Sequence, residues 1–288
     1  MLYFDHEPMP ALFFPNQEIS LDTEHLNPAD RFGRNAIDPT AEHIIGLRFE
    51  SNDDLIGLAL LKGHLDDLGY TNVVLDAPYF PYSTMDHIDG DKSHPLGLRY
   101  VTKFINGLNF KKVRIMDPHS YAVSTLVDRI EVLRGTLMLL DEVNKWLWKH
   151  RATQGFVLVY PGTDAQSRYC FNTAPDCQLL LDKRPIIESG ETAGVRYAGD
   201  TSAIDDWPRP CVITADLCRR GRTYVGCAEE LRALGAQQII LCVAHLEESA
   251  FESIFRDDSP IDAVFATDSR LPHGFENSIG KLNLFPIF

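Results

Sequence analysis

From His43 onward, short apolar runs alternate with segments whose apolar residues recur at helical spacing. Residues 44–49 predict a strand, and Ser51-Asn52-Asp53-Asp54 reads as a helix start followed by an apolar face of Leu55, Leu58, Leu61 and Leu65. Residues 72–77 predict the next strand. A helix over 96–108 follows, with Leu98, Val101, Phe104, Ile105 and Leu108 as its stripe, then a strand over 112–116 that ends at Asp117-Pro118-His119-Ser120. Residues 122–150 are helical in parts, most strongly over 137–148. The alternation then restarts with strands at 155–160 and 178–181 and a short helix between them. Residues 188–207 read as irregular or hairpin-like, punctuated by glycines. A buried strand at 211–213, a helix from Thr223, a strand at 239–243, a short helix near 247–255 and strands at 263–266 and 281–285 complete the pattern. Before residue 40 the chain is rich in Pro, Asn and Asp; only 12–14 reads as a short strand, with a turn at Asn16-Gln17-Glu18.

Bracketed apolar strands alternating with helices predict an α/β protein of mainly parallel sheets flanked by helices. The alternation runs twice, which suggests two similar domains, 1–140 and 141–288. In such sheets ligands sit beyond the carboxyl ends of the strands. The segments to watch are therefore 78–94, 117–120, 161–168, 182–184 and 214–223.

The last of these has the clearest chemistry. A strand, a polar turn and a helix start in that order present free backbone N–H groups and the positive end of a helix dipole to an anion. Arg219, Arg220 and Arg222 add cations to that turn, in a chain whose net charge is −14. A solvated basic turn is the plain alternative. The acidic balance argues against a general nucleic-acid binder. No apolar run approaches the roughly 20 residues that span a bilayer, and the start lacks a signal-peptide pattern, so the expected location is cytoplasmic. The six cysteines show no C-x-x-C and are expected as buried free thiols.

Taken together, the strand ends resemble the ribose-phosphate diphosphokinase (PRPP synthetase) family along essentially the whole chain. Asn16-Gln17-Glu18 after Phe14-Pro15 resembles the family's F-x-[DN]-G-E turn, and the stretch from Pro78 to His87 its P-Y-x-x-Y-[AS]-R-Q-D-R segment. Asp117-Pro118-His119-Ser120 resembles D-L-H-[SA], and Leu181-Asp182-Lys183-Arg184 is similar to D-K-R-R. Residues 215–223 resemble the loop D-D-x-x-D-T-x-G-T, while Ala244-His245 and Thr267-Asp268-Ser269 stand where the family has T-H and T-N-S.

The resemblance implies two phosphoribosyltransferase-type (PRTase-type) domains, the first on the ATP side and the second carrying the sugar-phosphate loop. It implies transfer of an intact diphosphate from Mg-ATP to the anomeric hydroxyl of ribose 5-phosphate, and assembly as dimers or hexamers. By the same resemblance, Lys183 and Arg184 would be catalytic, and Asn16, Glu18 and Asp86 would bind ATP. His119 and Asp128 would hold Mg2+, while Asp216, Arg219, Arg220, Gly221, Arg222 and Thr223 would bind the sugar phosphate. Small-molecule substrates are implied, with neither nucleic acid nor membrane as partner.

The sequence also departs from the family pattern. Thr84 and Met85 replace an arginine and a glutamine, and Pro185 an arginine. Gly162 stands where S-P-D-x-G-x-x-x-R has a metal acid, with Asp164 two residues on as a substitute. Ala215 and Arg219 replace acids of the phosphate loop. Added guanidiniums suit an acceptor with more negative charge, such as ADP-ribose. Loss of catalytic groups suits an impaired regulatory partner of an active enzyme. A PRPP-consuming phosphoribosyltransferase fits less well, since such enzymes usually have one domain of this kind.

Overall fold

The computed structural model describes residues 1–27, 37–87, 94–151, 155–170, 177–188, 191–198 and 209–287, with backbone alone at 151, 177, 183–188 and 191–198. It divides into two compact units, Met1–Leu133 and Arg134–Ile287.

The first unit contains strands β1 (Leu2–Phe4), β2 (Glu7–Met9), β3 (Ala11–Phe13), β4 (Ile19–Leu21) and β5 (His43–Leu47), then helix α1 (Asp53–Asp67) and strand β6 (Val73–Asp76). Helix α2 (Gly97–Gly107), strand β7 (Lys112–Met116), helix α3 (Tyr121–Leu126) and strand β8 (Ile130–Leu133) follow. Its main sheet has the order β2-β1-β5-β6-β7-β8. Strands β5 to β8 run parallel, while β1 is antiparallel to both β2 and β5. The expected stripe of α1 is buried at Leu58, Leu61 and Leu65, against Leu2, Phe4, Ile45, Leu47 and Leu75 of the sheet. Strands β1 and β2 lie in the segment expected to be irregular. Their turn is made by Asp5 (φ 47°) and His6 (φ 73°), the paired left-handed conformation that matches hairpin twist. Strand β8 lies within the stretch expected to be partly helical; Leu126 ends α3, and Asp128-Arg129 leads into the strand.

The second unit opens with α4 (Gly135–Arg151), β9 (Val157–Tyr160), α5 (Thr163–Tyr169) and β10 (Cys177–Leu180). A hairpin of β11 (Asp182–Glu188) and β12 (Glu191–Ala198) follows, then β13 (Cys211–Cys218), α6 (Arg222–Ala233) and β14 (Ile239–Leu246). A 3-10 turn (Glu248–Ala250), α7 (Phe251–Ile254), β15 (Ala263–Thr267) and β16 (Leu282–Phe285) close the chain. The sheet order is β10-β9-β13-β14-β15-β16, all parallel. Each face is covered. Leu139, Leu140, Val143 and Leu147 of α4 pack with Val212, Ile240 and Phe265 on one side, and Tyr224, Ala228 and Leu231 of α6 pack on Ile213, Leu241 and Val264 on the other. Because α4 belongs wholly to this core, the division falls at Leu133/Arg134 rather than at 140.

Two consequences of this sheet position the candidate site. The chain makes β10 on the outer side of β9 before returning to make β13 on its inner side, so the strand order reverses between β9 and β13. Such a reversal opens a crevice at the carboxyl ends. Strand β13 also runs on to Cys218 instead of ending at Ile213, and all eight of its residues are buried. Pairing with β9 is recorded only as far as Ile213↔Val159, while β14 accompanies β13 to Cys218↔Leu246. Cys211, Cys218, Cys227 and Cys242 are buried free thiols and Cys170 is a partly buried one, as expected from their spacing. Among the described residues no helix is long and apolar enough to cross a membrane.

Candidate functional site

In the first unit the strand ends gather part of the expected ATP side. Strand β7 leaves the sheet through Asp117, a buried residue at φ 37°, whose N–H donates to the Leu133 carbonyl at 3.0 Å. This turn delivers His119 and Ser120. Ser120 has extended backbone and caps α3, its Oγ accepting the Ala122 N–H at 3.1 Å. The Ser120 hydroxyl also hydrogen-bonds Asp86, from the segment that follows β6. Burial raises the Asp86 carboxyl, but hydrogen bonds from His87 (Nδ1 at 3.0 Å) and Ser120, with the charge of His119, outweigh it and hold Asp86 below the usual carboxylate range.

Asn16 and Glu18 sit on the exposed tip of the β3–β4 hairpin. Gln17 adopts φ 69° there, and the Glu18 N–H donates to Asn16 Oδ1 at 3.2 Å, an Asx turn. Asp128 does not join His119. It is exposed, its N–H donates to Asn106 Oδ1 at 3.0 Å, and it precedes the amino end of β8, whereas His119 follows the carboxyl end of β7. The five residues of β7, roughly 15 Å of strand, separate those two edges. The nine-residue spacing carries the chain down α3 to the far edge, so the expected pairing of His119 with Asp128 is corrected.

A cavity of about 340 Å³ that no motif announces lies at the carboxyl ends of β5 and β6, lined in part by Phe49, Asn52, Tyr79, Tyr82, Thr84 and Met85. Tyr82 donates its hydroxyl to Asn52 Oδ1 at 2.8 Å. The departures Thr84 and Met85 thus line an aromatic hollow beside Asp86.

In the second unit the expected nine-residue loop at 215–223 is divided among strand, turn and helix. Ala215, Asp216, Leu217 and Cys218 belong to β13, and the turn shrinks to Arg219-Arg220-Gly221 before α6. Gly221 takes φ 73°, and a Cβ there would lie 2.2 Å from Ser253 Oγ and 2.7 Å from Ile254 Cγ1. The position therefore demands glycine. Ser253 donates to the Arg220 carbonyl at 2.7 Å, and Ser249 donates to the Arg219 carbonyl. Arg219, Arg220, Arg222 and Thr223 are exposed around the start of α6, which leaves the anion-binding expectation with its cations. Glu247 approaches Arg219 at 4.0 Å and Arg270 at 3.3 Å. His245 and Ser269 meet at 2.7 Å at the adjacent strand ends, with Thr267 2.9 Å from Ser269.

Asp216 differs most from expectation. It is buried, and its Oδ1 lies 2.5 Å from Arg168 Nη1 of α5, an ion pair with side chains 8% and 13% exposed. Arg168 Nη1 has no aligned hydrogen-bond acceptor, so the contact is carried by charge. Burial opposes the Arg168 charge, but Asp216 overrides it and raises the guanidinium pKa further. Gly162 stands at φ 157°, ψ 167°, a region open to glycine almost alone, which accounts for the missing acid there. Asp164 is an exposed acid in the first turn of α5, the usual placement at a helix start. Lys183 and Arg184 lie within β11, opposite Tyr197 and Arg196 of β12, rather than in a loop; their side chains fall outside the described residues.

No family model matches the chain. It is similar to ribose-phosphate pyrophosphokinase of Marinomonas sp. (strain MWYL1), with 24% identity over 225 residues, 76% of this chain and 67% of that one. It is also similar to ribose-phosphate pyrophosphokinase of Hyphomonas neptunium, with 22% identity over 244 residues, 83% of this chain and 74% of that one. The curated relatives all carry that name. Phosphoribosylpyrophosphate synthetase from Mycobacterium smegmatis shares the fold, with a TM-score of 0.68 at 15% identity, covering 97% of this chain and 86% of that one. These likenesses support reading the chain as a divergent relative of the ribose-phosphate pyrophosphokinases.

Within that family frame, the pyrophosphokinase-like features and the departures separate by place. Asp86, His119 and Ser120 come together in the first unit. In the second, the acids that the family motifs place at 162 and 215 are absent, and Asp216 is paired. Among the described residues no three His, Cys, Asp or Glu side chains are grouped to hold a metal. Mg2+ needs few protein ligands when phosphate oxygens and waters complete its octahedron, so Asp86 beside His119 is a donor set that fits a nucleotide-borne ion.

Proposed function

We propose that this chain transfers diphosphate from Mg-ATP to the anomeric hydroxyl of ribose 5-phosphate, giving PRPP and AMP. The observation that carries the reading is that Ser120, from the end of one strand, hydrogen-bonds Asp86, from the segment after another, with the charge of His119 acting on the same carboxylate. In this reaction the anomeric oxygen attacks the β-phosphorus. The bond from that phosphorus to the α,β-bridging oxygen breaks, AMP leaves with the electron pair, and the hydroxyl proton passes to solvent.

Asp86 and His119 would hold the magnesium of the nucleotide, which supplies charge neutralisation on the phosphate oxygens. Asn16 and Glu18 would reach the base side. Lys183 and Arg184 would cancel charge on the transferring group, and positioning with charge cancellation is most of what phosphoryl transfer asks for. Gly221, Thr223 and the arginines of the turn would take the acceptor's phosphate at the start of α6. We read the protein as a cytoplasmic homo-oligomer, a dimer or hexamer.

A second acceptor is favoured by the turn itself. Arg219, Arg220 and Arg222 crowd one helix start while Ala215 removes a carboxylate, a balance that suits a diphosphate-bearing sugar such as ADP-ribose. AMP release with Mg-ATP, measured with ribose 5-phosphate and with ADP-ribose in parallel, tests both readings. AMP with the first acceptor supports the main one, and AMP with ADP-ribose alone supports the second. If neither yields AMP and the chain co-purifies with an active homologue, it is a regulatory partner and both readings fail.

A further inference from the structure

Arg168 has no part in the roles assigned above, yet it makes the most buried ion pair at the carboxyl edge of the second sheet. Continuing the register Ile213↔Val159 places Gly162 beside Asp216, at the point where β9 has left the sheet and β13 still runs on. A Cβ at Gly162 would meet nothing within 4 Å, so open space adjoins that position. Thr214, two residues before Asp216 on the same face of β13, is fully buried, and its Oγ1 has no hydrogen-bond partner. Strand β13 therefore presents an unpartnered hydroxyl and a carboxylate along the crevice where the strand order reverses.

We propose that Arg168 is a positioning residue for the acceptor sugar: it pins Asp216 at the mouth of this crevice, so that the carboxylate meets a sugar hydroxyl in one orientation. The inference rests on the sugar-phosphate reading of this site. With Oδ1 against the guanidinium at 2.5 Å, the carboxylate is restrained about its last torsion. Fixing an acceptor group before binding is how an enzyme lowers the orientation cost of a reaction. The guanidinium also cancels the carboxylate's charge, so a phosphate-bearing sugar approaches without repulsion. An ion pair that only fastened α5 to the sheet would be a poor use of two buried charges, since an apolar contact of the same size holds helix and strand as well.

The experiment compares Arg168→Gln, Arg168→Lys and Asp216→Asn in the full chain, by AMP release and by calorimetric titration with ribose 5-phosphate. Arg168→Gln is expected to raise KM for ribose 5-phosphate on the order of tenfold or more, with KM for ATP unchanged. Loss of the cation raises the Asp216 pKa, so the acid limb of the kcat/KM profile for the sugar should move to higher pH. Arg168→Lys should restore most of both. If Arg168→Gln does not fold, Asp216→Asn carries the test and should show the same rise in sugar KM alone.

Equal loss for both substrates with an unmoved acid limb, or an unchanged sugar KM in Asp216→Asn, overturns the proposal and leaves a structural anchor. Should the wild-type chain release no AMP, the proposed reaction fails, but the titration still decides this point. Weaker ribose 5-phosphate binding in Arg168→Gln, restored in Arg168→Lys, upholds it. Equal binding, or no binding to the wild type, ends it.

Discussion

Ser120 hydrogen-bonds the carboxylate of Asp86 with its hydroxyl while its oxygen accepts the Ala122 N–H at 3.1 Å, so one side chain both starts α3 and steadies an acid of the candidate nucleotide site. Ser120→Ala should remove about 1 kcal/mol of helix-cap stability and let the Asp86 pKa rise toward its ordinary value. The expected result is weaker Mg-ATP binding, with the loss growing as pH falls through the acid range. Unchanged ATP titrations from pH 4 to 7 would show that Asp86 stands outside the nucleotide site.

Lys183→Ala should abolish AMP release while leaving the denaturation midpoint nearly unchanged, within roughly 0.5 kcal/mol as for a surface functional group. A large drop in midpoint would mark the lysine as a structural partner of the hairpin.

Gly221→Ala places a methyl 2.2 Å from Ser253 Oγ at a positive φ. Strain in the turn and displacement of the Ser253 hydrogen bond should cost about 2 kcal/mol or more. Thermal unfolding of the variant measures it. An unaltered midpoint would mean that α7 shifts freely away from the turn.

Changing Arg219 to Asp and Arg222 to Gly, in the direction of the family motif, should weaken ADP-ribose more than ribose 5-phosphate. The salt dependence of binding should flatten for both. Calorimetric titration of each sugar at two ionic strengths reads this, and an equal effect on both sugars removes the rationale for the arginines.

His43 is buried between Asp5 Oδ2, 2.7 Å from Nδ1, and the Asp38 carbonyl, 2.8 Å from Nε2. Burial works against its charge, but the Asp38 carbonyl and the Asp5 carboxylate prevail and raise its pKa. A histidine whose folded pKa lies above its unfolded value, about 6.5, stabilises fully below that value. The contribution fades as pH climbs through the folded pKa. The denaturation midpoint of the first unit should therefore fall from mildly acidic to mildly alkaline pH, and His43→Gln should flatten that slope.

How much of this was readable beforehand depended on what buried each segment. The alternation from residue 43 was legible because α1 and α2 bury regular stripes and β6 opens on the apolar run Val73-Val74-Leu75. Strands β1, β2 and β8 were not, since three or four residues held by pairing leave too short a pattern. Strand β13 runs past its apolar run because Thr214 and Asp216, which look like the start of a loop, are buried in it. A buried strand tolerates an acid such as Asp216 when its charge is paired, and the partner Arg168 lies on another element. Asp86 and His119 were found through motif order, whereas Ser120 as their link needed the folded chain. Asp128 was misplaced because spacing along the sequence says nothing about which edge of a sheet is reached.

Thr214, Ala215, Leu217 and Cys218 pair along β14 rather than hanging free. One wall of the proposed acceptor crevice is thus built before any sugar arrives. Deuterium uptake at those amides should be slow in the empty protein and little changed by ligand, and association should proceed without waiting for that wall to order. Whatever gating the reaction requires must then come from other segments, and the reach of the acceptor would be measured against a fixed edge.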